Sequence, residues 1–345
     1  MKTEKSKAPK NSLTRTPRSV LAFMDTLIED LLSQHRHGTA DKYSSSRSSF
    51  SKFLRSCGSR DVALRRINAR MLANYQEWLF SNGGCTRNTV SFYMRFLKAA
   101  YNKAVHDGLV ARSSYGIHPF EAVSTAIAET RKRAIPQTVI RQLCLLDIPT
   151  ALAAVAKCPE RKSYARIQQE VIFARDIFLF CFCAQGMPFV DFAHLRQDNL
   201  REGYLSYERH KTGKHIEIEI LPQMQAVLDK YAVRDCCSPF LFPIISIASG
   251  RKAYVQYRSA LRCYNRRLKL LSQLLGLQVC LTTYVARHSW ATAAYHCNIP
   301  LSCISEALGH TNETTTRRYL KSLSRSTLAQ ANKQLLDSVF DMPEV

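Results

Sequence analysis

Apolar residues recur at helical spacing through most of the chain and at strand spacing in one short stretch, and that contrast sets the expected elements. From Val20 the stripe Leu21, Met24, Leu27, Ile28, Leu31 and Leu32 predicts a helix, and Tyr43, Phe50, Phe53 and Leu54 predict a second. A third runs from Met71 to Leu79 and stops before Gly83-Gly84, and a fourth runs from Thr86 to His106. In the fourth, Phe92, Phe96, Ala100 and Tyr101 are expected to face inward, with Arg87, Arg95, Lys98 and Lys103 outside. Together these segments predict a small helical bundle over residues 19–118.

Residues 119–135 lose periodicity and pass through Arg131-Lys132-Arg133, as an interdomain linker does. After Pro136, Val139, Leu143 and Leu146 open a second domain over 136–345, in which a polar insertion is followed by an apolar core helix from Val171 to Cys183. Tyr204 to Tyr207, and Ile216, Ile218 and Ile220 alternating with glutamate, predict two strands. They are joined through His210-Lys211-Thr212-Gly213-Lys214, with Lys211 at the turn. Helical spacing returns from Tyr254 to Leu275 and again in the remainder to Phe340. The expected class is mainly α with a small β-sheet: a helical domain followed by an α+β domain.

Composition adds a partner to this picture. The 345 residues can bury two cores. Forty-nine Lys and Arg against 27 Asp and Glu give a net charge of +22, spread along the whole length, which points to a polyanion. A solvated basic surface is the alternative reading of Arg87, Arg95, Lys98 and Lys103, since charge alone identifies no ligand. Residues 1–18, with Lys2, Lys5, Lys7, Lys10, Arg15 and Arg18 beside Pro9 and Pro17, are expected to be a flexible basic tail. No apolar run reaches the ~20 residues that span a bilayer, and the start has no signal-peptide core, so an intracellular protein without a membrane partner is expected. The cysteines suit buried free thiols such as Cys181 and Cys183 better than disulfides, and Cys236-Cys237 and Cys297/Cys303 lack zinc-site spacing. With no Gly-rich phosphate loop either, no cofactor and no metal are expected.

The candidate chemistry lies between Arg287 and Tyr319. An apolar segment starting at Pro300 is stopped by Gly309, a residue suited to the left-handed position past a helix end, so His310 is aimed from a helix terminus. Thr314, Thr315, Thr316, Arg317 and Arg318 are expected to carry Tyr319 on a short mobile segment. An arginine for phosphate, a helix-end histidine and a candidate tyrosine nucleophile, in that order, suggest phosphotransfer on DNA.

Arg287-His288-Ser289, Leu308-Gly309-His310, Tyr319 nine places later, and the Lys211-Thr212-Gly213 hairpin together resemble the tyrosine recombinase (phage integrase) family over nearly the whole chain. Gly186 to Asp191 and Tyr284 to Thr292 are most similar to integrases of Bacteroides-type mobile elements. The resemblance implies a core-binding domain and a catalytic domain forming a C-shaped clamp on double-stranded DNA. It also implies cytoplasmic, nucleoid-associated work as a dimer to tetramer, in integration, excision or inversion. Tyr319 would join a 3′ phosphate and leave a free 5′ hydroxyl; bond energy is kept in that link, so neither ATP nor metal is required. A tyrosine hydroxyl, with pKa ~10, attacks a phosphodiester only when held donors relieve its charge. Arg287 would supply a bidentate fork, His310 a donor or a proton relay, and Lys211 the acid for the 5′ oxygen. Asp191 would orient neighbours, while Lys214, His288, Arg131 and Lys132 would meet DNA; a packed or capping role is the alternative for His288.

Two departures stand out. Pro188 occupies the place of the family's first phosphate arginine, with Gln185 before the Gly186-Met187 phrase, and Arg175 or Arg196 are the nearby candidates to replace it. Tyr284 stands three before Arg287 where a histidine is common; its hydroxyl can still donate to phosphate. The loss of one arginine keeps a second class of function open, a DNA-binding regulator or architectural protein with impaired chemistry; a single-turnover topoisomerase is a third. Finally, Leu328, Ala331, Leu335, Val339 and Phe340 predict a C-terminal helix that docks on its own domain or on a neighbouring protomer.

Overall fold

The computed structural model describes residues 18–110, 118–121, 123, 125, 126, 128, 134–155, 162–233 and 239–320, with Lys162, Ser163, Arg318, Tyr319 and Leu320 described by backbone alone. The basic tail, Arg131 and Lys132, Cys236-Cys237 and the C-terminal segment after residue 320 lie outside the described residues. The chain divides into two compact units, Met1–Thr130 and Arg131–Val345.

The first unit is built from α1 (Val20–Ser33), α2 (His37–Ser56), α3 (Ala69–Ser81) and α4 (Arg87–His106). Side-chain caps start the last two: Asn68 accepts from Met71 N at 2.9 Å and Thr86 from Thr89 N at 3.4 Å, each satisfying a donor with no partner inside the helix. Met24, Phe50, Leu72, Tyr75, Met94 and Leu97 fill the core, with the Phe50 ring edge-on to Tyr75 at 5.0 Å. Phe92 and Phe96 differ from expectation: they are half-buried on a flank, where Phe96 meets the Tyr43 ring. The stripe Val90, Met94, Leu97, Tyr101 and Ala104 follows the helical repeat more closely and faces inward instead. The first part of the expected linker holds to this unit: Phe120 and Val123 enter its core, and Asn88 exchanges two hydrogen bonds with the backbone of Ala128; Ile135 packs in the second unit.

The second unit comprises α5 (Gln137–Leu145), α6 (Ile148–Val155), α7 (Lys162–Cys183), α8 (Phe189–Ala193), β1 (Leu200–Arg201), β2 (Tyr204–Glu208), β3 (His215–Glu219), α9 (Pro222–Tyr231), α10 (Gly250–Leu274), α11 (Thr283–His296), α12 (Leu301–Ala307) and α13 (Glu313–Leu320). Four of these, α6, β1, α9 and α13, depart from the sequence reading. The stretch expected as a polar insertion contains α6, whose Ile148 and Leu152 are buried. The sheet has a third strand, β1, too short to show periodicity, and α9 follows it, started by Pro222. The short segment expected to carry Tyr319 as a mobile stretch is the helix α13: Glu313 in its first turn and the Asn312 side chain on Thr314 N favour a helix start there.

α7 is the core helix; α10 and α11 pack along it around Phe178, Phe180, Leu268, Leu271, Val285 and Ala286. The antiparallel sheet, in order β1-β2-β3, pairs Leu205 with Ile218 and Tyr207 with Ile216, and these four residues form its buried face. Cys181 is buried and Cys183 half-buried, both as free thiols.

Candidate active site

Arg287 is held where three segments meet. It lies on the inward side of α11 with only 3% of its surface exposed. Its Nη1 donates to Gly186 O at 3.0 Å, and its Nη2 donates to Leu308 O and to His310 Nε2, the latter at 3.0 Å. Gly186 makes this approach possible. Its φ is +71°, and a Cβ there would lie 2.9 Å from Arg287 Cα.

His310 follows a helix end closed by two hydrogen bonds, Gly309 N to Glu306 O and His310 N to Ser305 O, with Gly309 at φ +63°. Because arginine only donates, its contact makes His310 Nε2 an acceptor and puts the ring proton on Nδ1, which meets Thr316 Oγ1 at 2.8 Å. Burial, then the charges of Arg287, Arg209, Lys211 and Lys214, push the His310 pKa down to about 4. The imidazole is therefore neutral at pH 7.

The β2–β3 hairpin supplies the third wall. Buried positions alternate through Leu205 and Tyr207 and continue to Arg209, which is 6% exposed. Arg209 Nε lies 2.8 Å from Asp191 Oδ2, and Nη1 donates to Leu308 O, the carbonyl that Arg287 also reaches. Asp191, in α8, accepts from His210 N at 2.9 Å as well, so it ties the hairpin to the core. Burial pushes the Asp191 carboxyl up, opposed by the His210 N–H and the Arg209 charge. At the turn Thr212 Oγ1 donates to Gly309 O at 3.4 Å; Lys211 is exposed and Lys214 half-buried.

Two buried guanidiniums share one carbonyl, Arg287 also contacts a neutral histidine, and a basic hairpin reaches the same turn. The family model of the phage integrase SAM-like domain matches residues 19–121, and that of the phage integrase family matches residues 170–325. The chain belongs to the tyrosine recombinase (phage integrase) family. It is 24% identical to the tyrosine recombinase XerA of Pyrococcus horikoshii over 268 residues, 74% of this chain and 90% of that protein. The fold is similar to a lambda integrase dimer bound to a COC′ core site (TM-score 0.60, 16% identity, 89% of this chain and 97% of that one). It is also similar to the Tn1549 transposon integrase in complex with transposon right end DNA (TM-score 0.58, 12% identity, 92% and 99%).

The remaining expected residues of this tyrosine recombinase divide. Tyr284 is 47% exposed on α11, one turn before Arg287, with its ring 6.3 Å from that of half-buried His288. Ser289 is structural: it accepts from Ile135 N and donates to Val285 O. Tyr319 stands in α13 three residues after Thr316, and its side chain lies outside the described residues. In the first unit Arg87 and Arg95 are exposed and Lys98 half-exposed, whereas Lys103 pairs with Asp107 at 2.7 Å. Neither arginine expected to replace the one lost at Pro188 enters the site. Arg175 is spent on Asp176 and Leu146 O, and Arg196 lies against the Phe240 ring. Arg209, which the sequence reading passed over, had one visible sign: it is in phase with the inward positions Leu205 and Tyr207.

Proposed function

We propose that this tyrosine recombinase cuts and rejoins duplex DNA through a 3′-phosphotyrosine on Tyr319. The tyrosine oxygen attacks phosphorus as its proton passes to His310, the bond to the 5′ oxygen breaks, and Lys211 protonates that oxygen. Arg287 binds the scissile phosphate, and His310 and Tyr284 hydrogen-bond to it or to the nucleophile. Asp191 positions the hairpin. Arg87, Arg95, Lys98, Lys214, His288, Arg131 and Lys132 meet the DNA backbone around the cut, and Lys103 contributes less because Asp107 neutralises it.

The observation that carries this reading is the buried Arg287–His310 contact with His310 joined onward to Thr316, in the helix that carries Tyr319. Arg287 presents a buried guanidinium beside a neutral imidazole, a setting in which a bound phosphate would supply the opposite charge. A DNA-bound dimer to tetramer is in keeping with the lambda integrase solved as a dimer on a core site and as a tetramer on a Holliday junction. Integration and excision of a mobile element, or inversion of a segment, are the exchanges it would serve, in the bacterial cytoplasm at the nucleoid. Incubation with nicked suicide DNA from the ends of the element that carries the gene tests the chemistry. Wild type is expected to give a covalent band on a denaturing gel, and Tyr319→Phe none, with DNA binding kept. Tight binding without a band would favour the regulator.

A further inference from the structure

We propose that Arg209 is the second phosphate-binding arginine of this site, delivered by the β2–β3 hairpin in place of the donor that Pro188 lacks. This rests on the recombinase reading of the site. Arg209 and Arg287 come from segments 78 positions apart (287 − 209), yet both donate to Leu308 O, so their guanidiniums flank one point. Proline has neither a side-chain donor nor a backbone N–H, and Pro188 itself is buried. Arg209 is anchored on one side: its Nε lies in an ion pair with Asp191 at 2.8 Å, Nη1 donates to Leu308 O, and Nη2 makes no hydrogen bond among the described residues. That leaves a donor edge on a fixed plane, the geometry in which arginine binds phosphate oxygens.

The surroundings fit an anion and not a neutral ligand. Lys211 and Lys214 follow on the same hairpin, and with both arginines their charges bear on His310. Gly309 is needed for the approach, because a Cβ there would meet Arg209 Cγ at 3.0 Å. Arg209 and Lys211 alternate on the hairpin, so one element brings charge relief for the phosphate and the acid for its leaving oxygen.

A purely structural Arg209 would hold Asp191 and the Leu308 turn without touching substrate, and a charge-deleted substrate separates the two roles. The probe is a nicked suicide duplex from the element ends, carrying at the scissile position either the phosphodiester or a methylphosphonate, which lacks the negative charge. On the phosphodiester, Arg209→Ala is expected to reduce covalent capture by ~10²–10³-fold, with Arg209→Lys between it and wild type. On the methylphosphonate the Arg209→Ala deficit should shrink to below about tenfold, since less charge remains to be neutralised. The ratio of the two substrates within one variant is insensitive to the fraction folded. Equal deficits on both substrates, or full activity of Arg209→Ala on the phosphodiester, would overturn the proposal. Absence of any wild-type band that Tyr319→Phe removes would instead sink the recombinase reading, and this proposal with it.

Discussion

Burial and four nearby cations hold the His310 pKa at about 4, against 6.5 for an unperturbed histidine. Between those values the unfolded chain takes up a proton that the folded chain refuses. The stabilisation from this neutral contact is therefore complete above pH 6.5 and lost as pH falls toward 4. In DNA-free thermal melts, wild type and His310→Gln are expected to run parallel above pH 6.5, with wild type losing ground below it. Parallel curves down to pH 4 would contradict a neutral His310. At the proposed site the same neutrality would bear on function, because a bound phosphate would add negative charge beside the ring and favour its protonated form. His310 would then be a poor donor at Nε2 before DNA binds and a better one afterwards.

Among the elements of the second unit, the turn between α7 and α8 has little room for change. Gln185 and Gly186 both adopt positive φ, +54° and +71°, and Gly186 lies against the backbone of α11. A methyl group there would strain the backbone and push α11 away. Gly186→Ala is expected to destabilise by about 2 kcal/mol or more and to cut covalent capture ~10²-fold by displacing Arg287. Urea denaturation and the nicked-duplex assay read the two effects separately; a variant as stable and active as wild type would show that the close approach is dispensable. The hairpin is the other decisive element. Asp191 grips it at Arg209 and at His210 N, so α8 anchors the hairpin that carries Lys211.

Across the molecule the net charge of +22 makes affinity for DNA salt-dependent, and pairing within the protein decides which cations contribute. Arg87, Arg95 and Lys98 on α4 have no ion pair among the described residues, whereas Lys103 is spent on Asp107. Arg87→Ala or Lys98→Ala is expected to lower the slope of log affinity against log salt by ~1 each. Lys103→Ala should leave it unchanged. Fluorescence anisotropy on a duplex from the element ends, titrated with salt, measures the slopes. Equal slopes for all four proteins would return α4 to the status of a solvated basic face.

The helices of the first unit, the α7 core helix, the hairpin and the order Arg287, His310, Tyr319 were legible in the chain, because burial on one face of a repeating element imposes a period on its sequence. Gly309 announced the helix end that aims His310 for a related reason: few residues tolerate that backbone conformation. Elements with too few residues to express a period, β1 and α6, were not legible, and α13 was hidden by a polar run with little to bury. Nor could the chain say which arginine answers for Pro188, since Arg175, Arg196 and Arg209 are alike as residues. Only the packed structure spends Arg175 on Asp176, lays Arg196 on Phe240 and turns Arg209 inward beside Arg287, because a side chain's partners are set by contacts between segments far apart in sequence.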